Sequence, residues 1–249
     1  LLGVSLTGIM DHHVLSKNVD SKRWLEEMRQ EAVDTNKNFA NMLGIPQSAA
    51  ITCVKPSGTV SQLVDAASGI HARHNDYYIR TVRGDNKDPL TQFLIEEGVH
   101  NERDMMKPDS VTVFSFAMRS PDGAVTRTQM TAIQQLELWK TYAIHWCEHK
   151  PSITVTVKEH EWMEVGAWVY ENFDVASGVS FLPHSDHTYQ QAPYQDIELD
   201  DYNDWQKTYS HVKIDWNKLT EFEKEDNTSG SRDLACAAGV CEVVDLNAA

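Results

Sequence analysis

AITCVKPSGTVSQLVDAA, residues 50–67, sets a short apolar run against a Pro-Ser-Gly turn and a following segment of helical spacing. The apolar run, residues 49–54, predicts a strand, and the helix is expected to continue through Ala67. Pro56 fixes the backbone on entry to the turn, and Gly58 lets another group approach the main chain. Ser57, Thr59 and Ser61 crowd hydroxyls around the helix start, where the first N–H groups have no intrahelical partner. Those N–H groups, the positive end of the helix dipole and the hydroxyls together suit a phosphate. The Walker sequence G-x-x-x-x-G-K-[ST] is absent, and Lys55 precedes the turn. The same residues also suit an ordinary Ser/Thr cap after a strand, and the local pattern leaves both readings open.

Working outward, residues 2–9 (LGVSLTGI) read as a buried strand. Residues 21–43 read as a helix, with Trp24, Met28, Ala32, Phe39 and Leu43 recurring at mostly three- and four-residue steps. Asp20 or Ser21 offers its N-cap, and Gly44 and Pro46 its stop. Residues 77–83 and 111–117 are further strand candidates. The longest helix is expected over 128–149, with Ile133, Leu136, Trp139, Ala143 and Trp146 on one face and Pro151 beyond its end. A strand at 152–157, a helix at 158–172 and a strand at 179–183 follow. Strands alternating with helices predict an α/β protein with a largely parallel sheet, and half of a barrel fits that alternation. Residues 189–222 are polar, aromatic and irregular, and 223–249 are acidic and rich in Ser, Gly and Ala, as in a flexible tail. The expected division is therefore 1–222 as the folded part and 223–249 as the tail.

The chain has 249 residues, 41% hydrophobic and 24% charged, enough to build a core and too apolar for overall disorder. No apolar run approaches the roughly 20 residues needed to span a bilayer, and the first ten residues lack a basic leader and cleavage site. A cytoplasmic protein without a membrane partner is expected. The formal net charge of −15 argues against binding to nucleic acid polymers, but not against a small phosphorylated ligand. The sequence starts at Leu1, inside a strand-like stretch, which predicts a piece of a longer protein.

Four cysteines occur: Cys53, Cys147, Cys236 and Cys241. Cys236-Ala-Ala-Gly-Val-Cys241 can close a disulfide ring at little steric cost. On a mobile tail such a pair suits a thiol–disulfide shuttle, although two incidental tail cysteines fit as well. No metal site is expected. His160-Glu161 begins like a zincin motif, but Glu164 stands where the second histidine belongs. His145 with His149, and His184 with Asp186 and His187, lack an identifiable further ligand.

VKPSGTVSQLVDAASGIHAR (54–73) resembles the substrate phosphate-binding segment of ribonucleotide reductases. HTYQQAPYQDI (187–197) and DLACAAGVCEV (233–243) resemble segments of the adenosylcobalamin-dependent class, nearest its single-chain, triphosphate-reducing members, and LGVSLTGIMD (2–11) resembles the strand after that family's active-site region. The resemblance implies the C-terminal half of a ten-stranded α/β barrel followed by a flexible tail. It implies radical replacement of the ribose 2′-hydroxyl by hydrogen, with adenosylcobalamin as cofactor and a thioredoxin-type reductant. Ser57, Gly58, Thr59, Val60 and Ser61 would hold the phosphates of the ribonucleotide substrate. Cys236 and Cys241 would re-reduce the active-site disulfide. The family's Asn-x-Cys-x-Glu signature is missing: Cys53 precedes Val54-Lys55, and Cys147 precedes Glu148-His149. The thiyl cysteine, and the allosteric effector site, would belong to the missing N-terminal half, and this piece alone is expected to be inactive. Two other readings stay open: a non-catalytic phosphate-binding module from a split or decayed reductase, and a fragment of a two-subunit iron-dependent reductase. The latter class relays its radical through adjacent tyrosines, but those lie much farther beyond the phosphate turn than Tyr77-Tyr78, which read as packing residues.

Overall fold

The computed structural model describes residues 2–58, 60–184 and 189–224. In chain order these form β1 (Val4–Ser5), α1 (Asn18–Leu43), β2 (Thr52–Cys53), α2 (Val60–Leu63), β3 (Tyr77–Asp85), α3 (Pro89–Glu96), β4 (Asn101–Arg103) and β5 (Val111–Arg119). There follow α4 (Ala132–His145), β6 (Ile153–Val157), α5 (Trp162–Glu171), β7 (Val179–Pro183), β8 (Tyr194–Asp196), α6 (Leu199–Tyr209) and α7 (Leu219–Phe222). The chain divides into two units, Leu1–Asp76 with Ser120–Asp186, and Tyr77–Arg119 with His187–Ala249.

The first unit holds two parallel strand pairs. β1 pairs with β2 (Val4↔Thr52, Ser5↔Cys53), and β6 pairs with β7 from Ile153↔Val179 to Val157↔Pro183. Alternation along β6 sends Ile153, Val155 and Val157 into the core. α4 starts on a reciprocal cap in which Gln134 N–H donates to Thr131 Oγ1 at 3.1 Å and Thr131 N–H donates to Gln134 Oε1 at 2.9 Å. Its Leu136, Trp139 and Tyr142, with Trp146 just beyond its end, pack with Ile9, Met10, Leu25 and Val54 in one core. Trp146 Nε1–H finds the Cys53 carbonyl at 2.8 Å, so its burial leaves no orphaned donor. α1 ends where Gly44 takes a left-handed conformation (φ 65°), the backbone that glycine adopts without a Cβ penalty.

The second unit is an antiparallel sheet in the order β4-β5-β3-β8. β3 and β5 pair over nine residues, from Tyr77↔Arg119 to Asp85↔Val111. α3 is capped by Asp88, whose carboxylate accepts from Leu90 N–H at 2.9 Å, with Pro89 at the first helical position. Phe93 on α3 is buried against Trp216 and against Phe222 of α7, both at 5.6 Å between ring centroids.

Several expectations from the sequence change. The 2–9 stretch gives only a two-residue strand with both residues exposed, because β2 is its sole neighbour in that sheet among the described residues. The sheet containing 77–83 and 111–117 is antiparallel, with β4 turning back at 104–110 into β5, and the parallel pairing expected from strand–helix alternation is found only for β1 with β2 and β6 with β7 among the described residues. The helix expected through Ala67 stops at Leu63, since Asp65 adopts a left-handed backbone (φ 47°). On α1 the stripe Trp24, Phe39, Leu43 is exposed and Leu25 and Ala40 face inward instead. The irregular reading of 189–222 missed α6. Among the described residues there is no closed barrel, and no helix is long and apolar enough to cross a membrane.

Candidate functional site

The turn at 57–61 forms between the end of β2 and the single turn of α2. Ser57 Oγ accepts from Ser61 N–H at 2.8 Å, and Ser61 Oγ donates to the Ser57 carbonyl at 2.8 Å. Ser61 is fully buried by this exchange, so its hydroxyl shapes the turn rather than facing solvent. Ser57 Oγ keeps its own hydrogen as a donor. Ser57 N–H is taken by Ser68 Oγ at 2.8 Å. Gly58 and Val60 form the exposed rim of the turn, and Thr59 lies outside the described residues. A Cβ built on Gly58 would meet nothing within 4 Å, and its φ is not left-handed; the chain's own packing does not demand glycine there. At one turn, α2 supplies little dipole, and the N–H groups of Ser57 and Ser61 are taken by serine oxygens, so any anion here draws on the Ser57 hydroxyl.

Residues given no role by the sequence hold this turn. Thr7 Oγ1 donates to the Ala67 carbonyl at 2.9 Å and accepts from Gly69 N–H at 3.0 Å. Gly69 sits at φ 56° with its Cβ position 2.8 Å from the Lys55 carbonyl, so no side chain fits. Asp11 and Arg73 meet behind the 65–67 segment. All of these lie in the stretches 2–11 and 54–73, but the contacts join residues some sixty positions apart, which no local pattern reveals.

His71 links the turn to β6. Its Nε2 accepts from Thr154 N–H at 3.0 Å, which places the ring proton on Nδ1, facing the Ser68 carbonyl at 3.0 Å. Burial lowers its pKa, with the Ser68 carbonyl opposing. The folded state thus resists protonation while the unfolded chain takes up a proton near the ordinary value of about 6.5. This contribution to stability is complete above that pH and is lost as pH falls below it toward the lowered folded value. We expect the urea midpoint to drop between about pH 7.5 and 5.5, and His71→Gln to flatten that slope.

Cys53 and Cys147 are buried free thiols. Burial, reinforced by neighbouring Cys53, pushes the Cys147 thiol up to about 12, so it stays protonated and inert at neutral pH. Cys236 and Cys241 lie outside the described residues. Among the described residues no group of three or more His, Cys, Asp or Glu side chains could hold a metal ion. Glu161 is instead a buried cap, accepting from Ala132 N–H at 3.1 Å and Lys158 N–H at 2.8 Å. His145 faces Glu26 at 2.7 Å.

In the second unit the 189–197 segment is pinned by Gln191, a non-glycine residue at φ 59°. Its amide donates to the Arg103 carbonyl at 2.7 Å and accepts from Met105 N–H at 2.9 Å, while its carbonyl receives Arg83. Tyr77 and Tyr78 pack on Tyr202 and Tyr194, at 5.2 and 5.8 Å between centroids. Beside β1, a groove of about 590 Å³ is lined by Leu2, Val4, Leu6, Met28, Phe39 and Trp146.

The chain is 29% identical, over 99% of its length, to a probable adenosylcobalamin-dependent ribonucleoside-triphosphate reductase of Dictyostelium discoideum, of which it covers 32%. The corresponding enzyme of Euglena gracilis is 30% identical over 82% of this chain and 28% of that one. That of Lactobacillus leichmannii is 24% identical over 97% of this chain and 36% of that one. This chain is a homologue of these reductases. A crystal structure of a B-12-dependent (class II) ribonucleotide reductase shares its fold with a TM-score of 0.71, at 21% identity, over 82% of this chain and 29% of that one. No family model matches the chain. The homologue spans about a third of the length of the curated relatives it matches. The resemblance read from its sequence is thereby borne out, and its mixed α/β architecture is that of the matched part of a class II reductase.

Proposed function

We propose that this chain is part of an adenosylcobalamin-dependent ribonucleotide reductase acting on nucleoside triphosphates, and forms the C-terminal half of its barrel with a redox tail. The observation that carries this reading is a match across 99% of the chain to a relative named for that reaction. The exposed rim of the turn at 57–61 receives the substrate phosphates, with the Ser57 hydroxyl as a donor and Ser61 fixing its shape. The cofactor, when bound, supplies the radical by cobalt–carbon homolysis. No described residue is assigned to it. The thiyl cysteine comes from the rest of the protein, because Asn-x-Cys-x-Glu is absent from these residues. The open side of β1 and the apolar groove beside it offer a surface on which that remainder can dock.

Cys236 and Cys241 act after each turnover. One thiolate attacks the active-site disulfide, the second resolves the mixed disulfide, and the site regains two thiols while the tail pair becomes oxidised. A thioredoxin-type dithiol then reduces the tail. The phosphate assignment is tested by Ser57→Ala in the full-length protein. Loss of a charge-assisted hydrogen bond costs about 1.5–3 kcal/mol, so KM for the nucleotide should rise at least about tenfold. An unchanged KM would place the phosphates elsewhere.

A further inference from the structure

Behind the turn, Arg73 and Asp11 make a buried pair whose bonds converge on the segment returning from α2. The Arg73 side chain is only 3% exposed. Its Nε and Nη2 donate to Asp11 Oδ1 and Oδ2 at 2.9 and 2.8 Å, the two-pronged geometry that fixes both orientation and distance. Nη2 also donates to the Asp65 carbonyl at 2.7 Å, and Nη1 reaches Asp65 Oδ1 at 3.4 Å. Asp11 Oδ2 in turn accepts from Ala67 N–H at 2.7 Å. Residues 65 and 67 are thus held from one side, with Asp65 in the left-handed backbone that a non-glycine residue adopts only under constraint.

The pair is itself anchored. Arg73 N–H donates to the Val125 carbonyl and the Arg73 carbonyl accepts from Arg127 N–H, both at 2.9 Å. Val125 N–H donates to the Met10 carbonyl at 3.0 Å, next to Asp11. A buried ion pair is a weak source of stability, since desolvation offsets most of its attraction. What it supplies is direction. Buried and neutralised by Asp11, the guanidinium is not placed to take a phosphate itself.

We infer that Arg73 and Asp11 are positioning residues, which hold the 65–67 segment behind the turn and so keep the turn in the shape that receives the nucleotide phosphates. This inference rests on the phosphate reading of the turn. Lysine cannot reach Asp11 Oδ1, Asp11 Oδ2 and the Asp65 carbonyl together, so Arg73→Lys keeps the charge and loses the geometry. Asp11→Asn keeps the shape and loses the charge.

In the full-length protein, both variants should speed amide exchange at Ala67 by about tenfold and raise KM for the nucleotide by a similar factor, with kcat nearly unchanged. Asp65→Asn, at an exposed side chain and with a residue that tolerates the left-handed backbone, should shift both readouts in the same direction by about two- to threefold. Unchanged exchange at Ala67 in all three variants overturns the inference, whatever KM does. Faster exchange with unchanged KM also overturns it if Ser57→Ala raises KM. If Ser57→Ala is equally without effect, the phosphate reading fails first and the inference falls with it.

Discussion

Replacing Cys236 and Cys241 together by serine should reduce turnover with thioredoxin to background and leave turnover with a small dithiol intact. Thiol–disulfide exchange requires a thiolate within bonding reach of the disulfide it attacks. A small dithiol can diffuse into the site, whereas a folded reductant cannot, and the proposed role of the tail pair is to bridge that gap. Serine keeps size and polarity while removing the redox couple, so the comparison isolates electron delivery. The measurement is steady-state turnover of the full-length protein with each reductant in parallel. Equal activity with both would remove the shuttle role from the tail. Loss with both would point to damage outside it.

The second large effect separates two glycines in one segment. Gly69→Ala should lower stability by about 2–5 kcal/mol, as a left-handed backbone costs an L-residue about 1–2 kcal/mol and a methyl pressed on a backbone carbonyl adds about 1–3. That methyl would lie 2.8 Å from the Lys55 carbonyl oxygen, which cannot swing aside without moving the turn. Gly58→Ala meets no atom within 4 Å and should leave the unfolding midpoint where it is. If the open face of Gly58 receives phosphate, the same methyl weakens nucleotide binding. Equilibrium unfolding and nucleotide titration of the two variants check both statements. Equal loss of stability at the two positions would contradict the geometry, and unchanged binding by Gly58→Ala would contradict the ligand.

The elements most legible in the sequence are those whose signals are local. Gly44 closes α1, the alternation of 153–157 marks a strand buried on one face, and the apolar spacing of Leu136 and Trp139 marks α4, although that helix runs only from Ala132 to His145 rather than over 128–149. Parallel pairing was legible for β1 with β2 and for β6 with β7. The antiparallel direction of the second unit's sheet was not, because β3 and β5 are joined through α3 and β4, and pairing partners are chosen over distances that a sequence window does not contain. The helix α6 left a usable trace in Tyr202, Trp205 and Tyr209, spaced by three and four, but its acidic background masked the periodicity. At the candidate site the turn itself was legible from Pro56, Ser57 and Gly58. Its supports were not: Asp11, His71 and Arg73 act through bonds to residues 67, 154 and 65, and only the folded chain brings these together.

The two units are also interleaved along the chain, and this affects synthesis on the ribosome. The first unit needs residues up to 186, and the second begins at Tyr77 and needs residues beyond 187. Neither can therefore finish as a consecutive block while the chain emerges. The Leu15 carbonyl, for example, waits for the Tyr142 hydroxyl, made 127 residues later, which it meets at 2.8 Å. Until then Ile9, Met10 and Leu25 have no α4 to pack on, and nascent chains of this length expose apolar surface that chaperones bind.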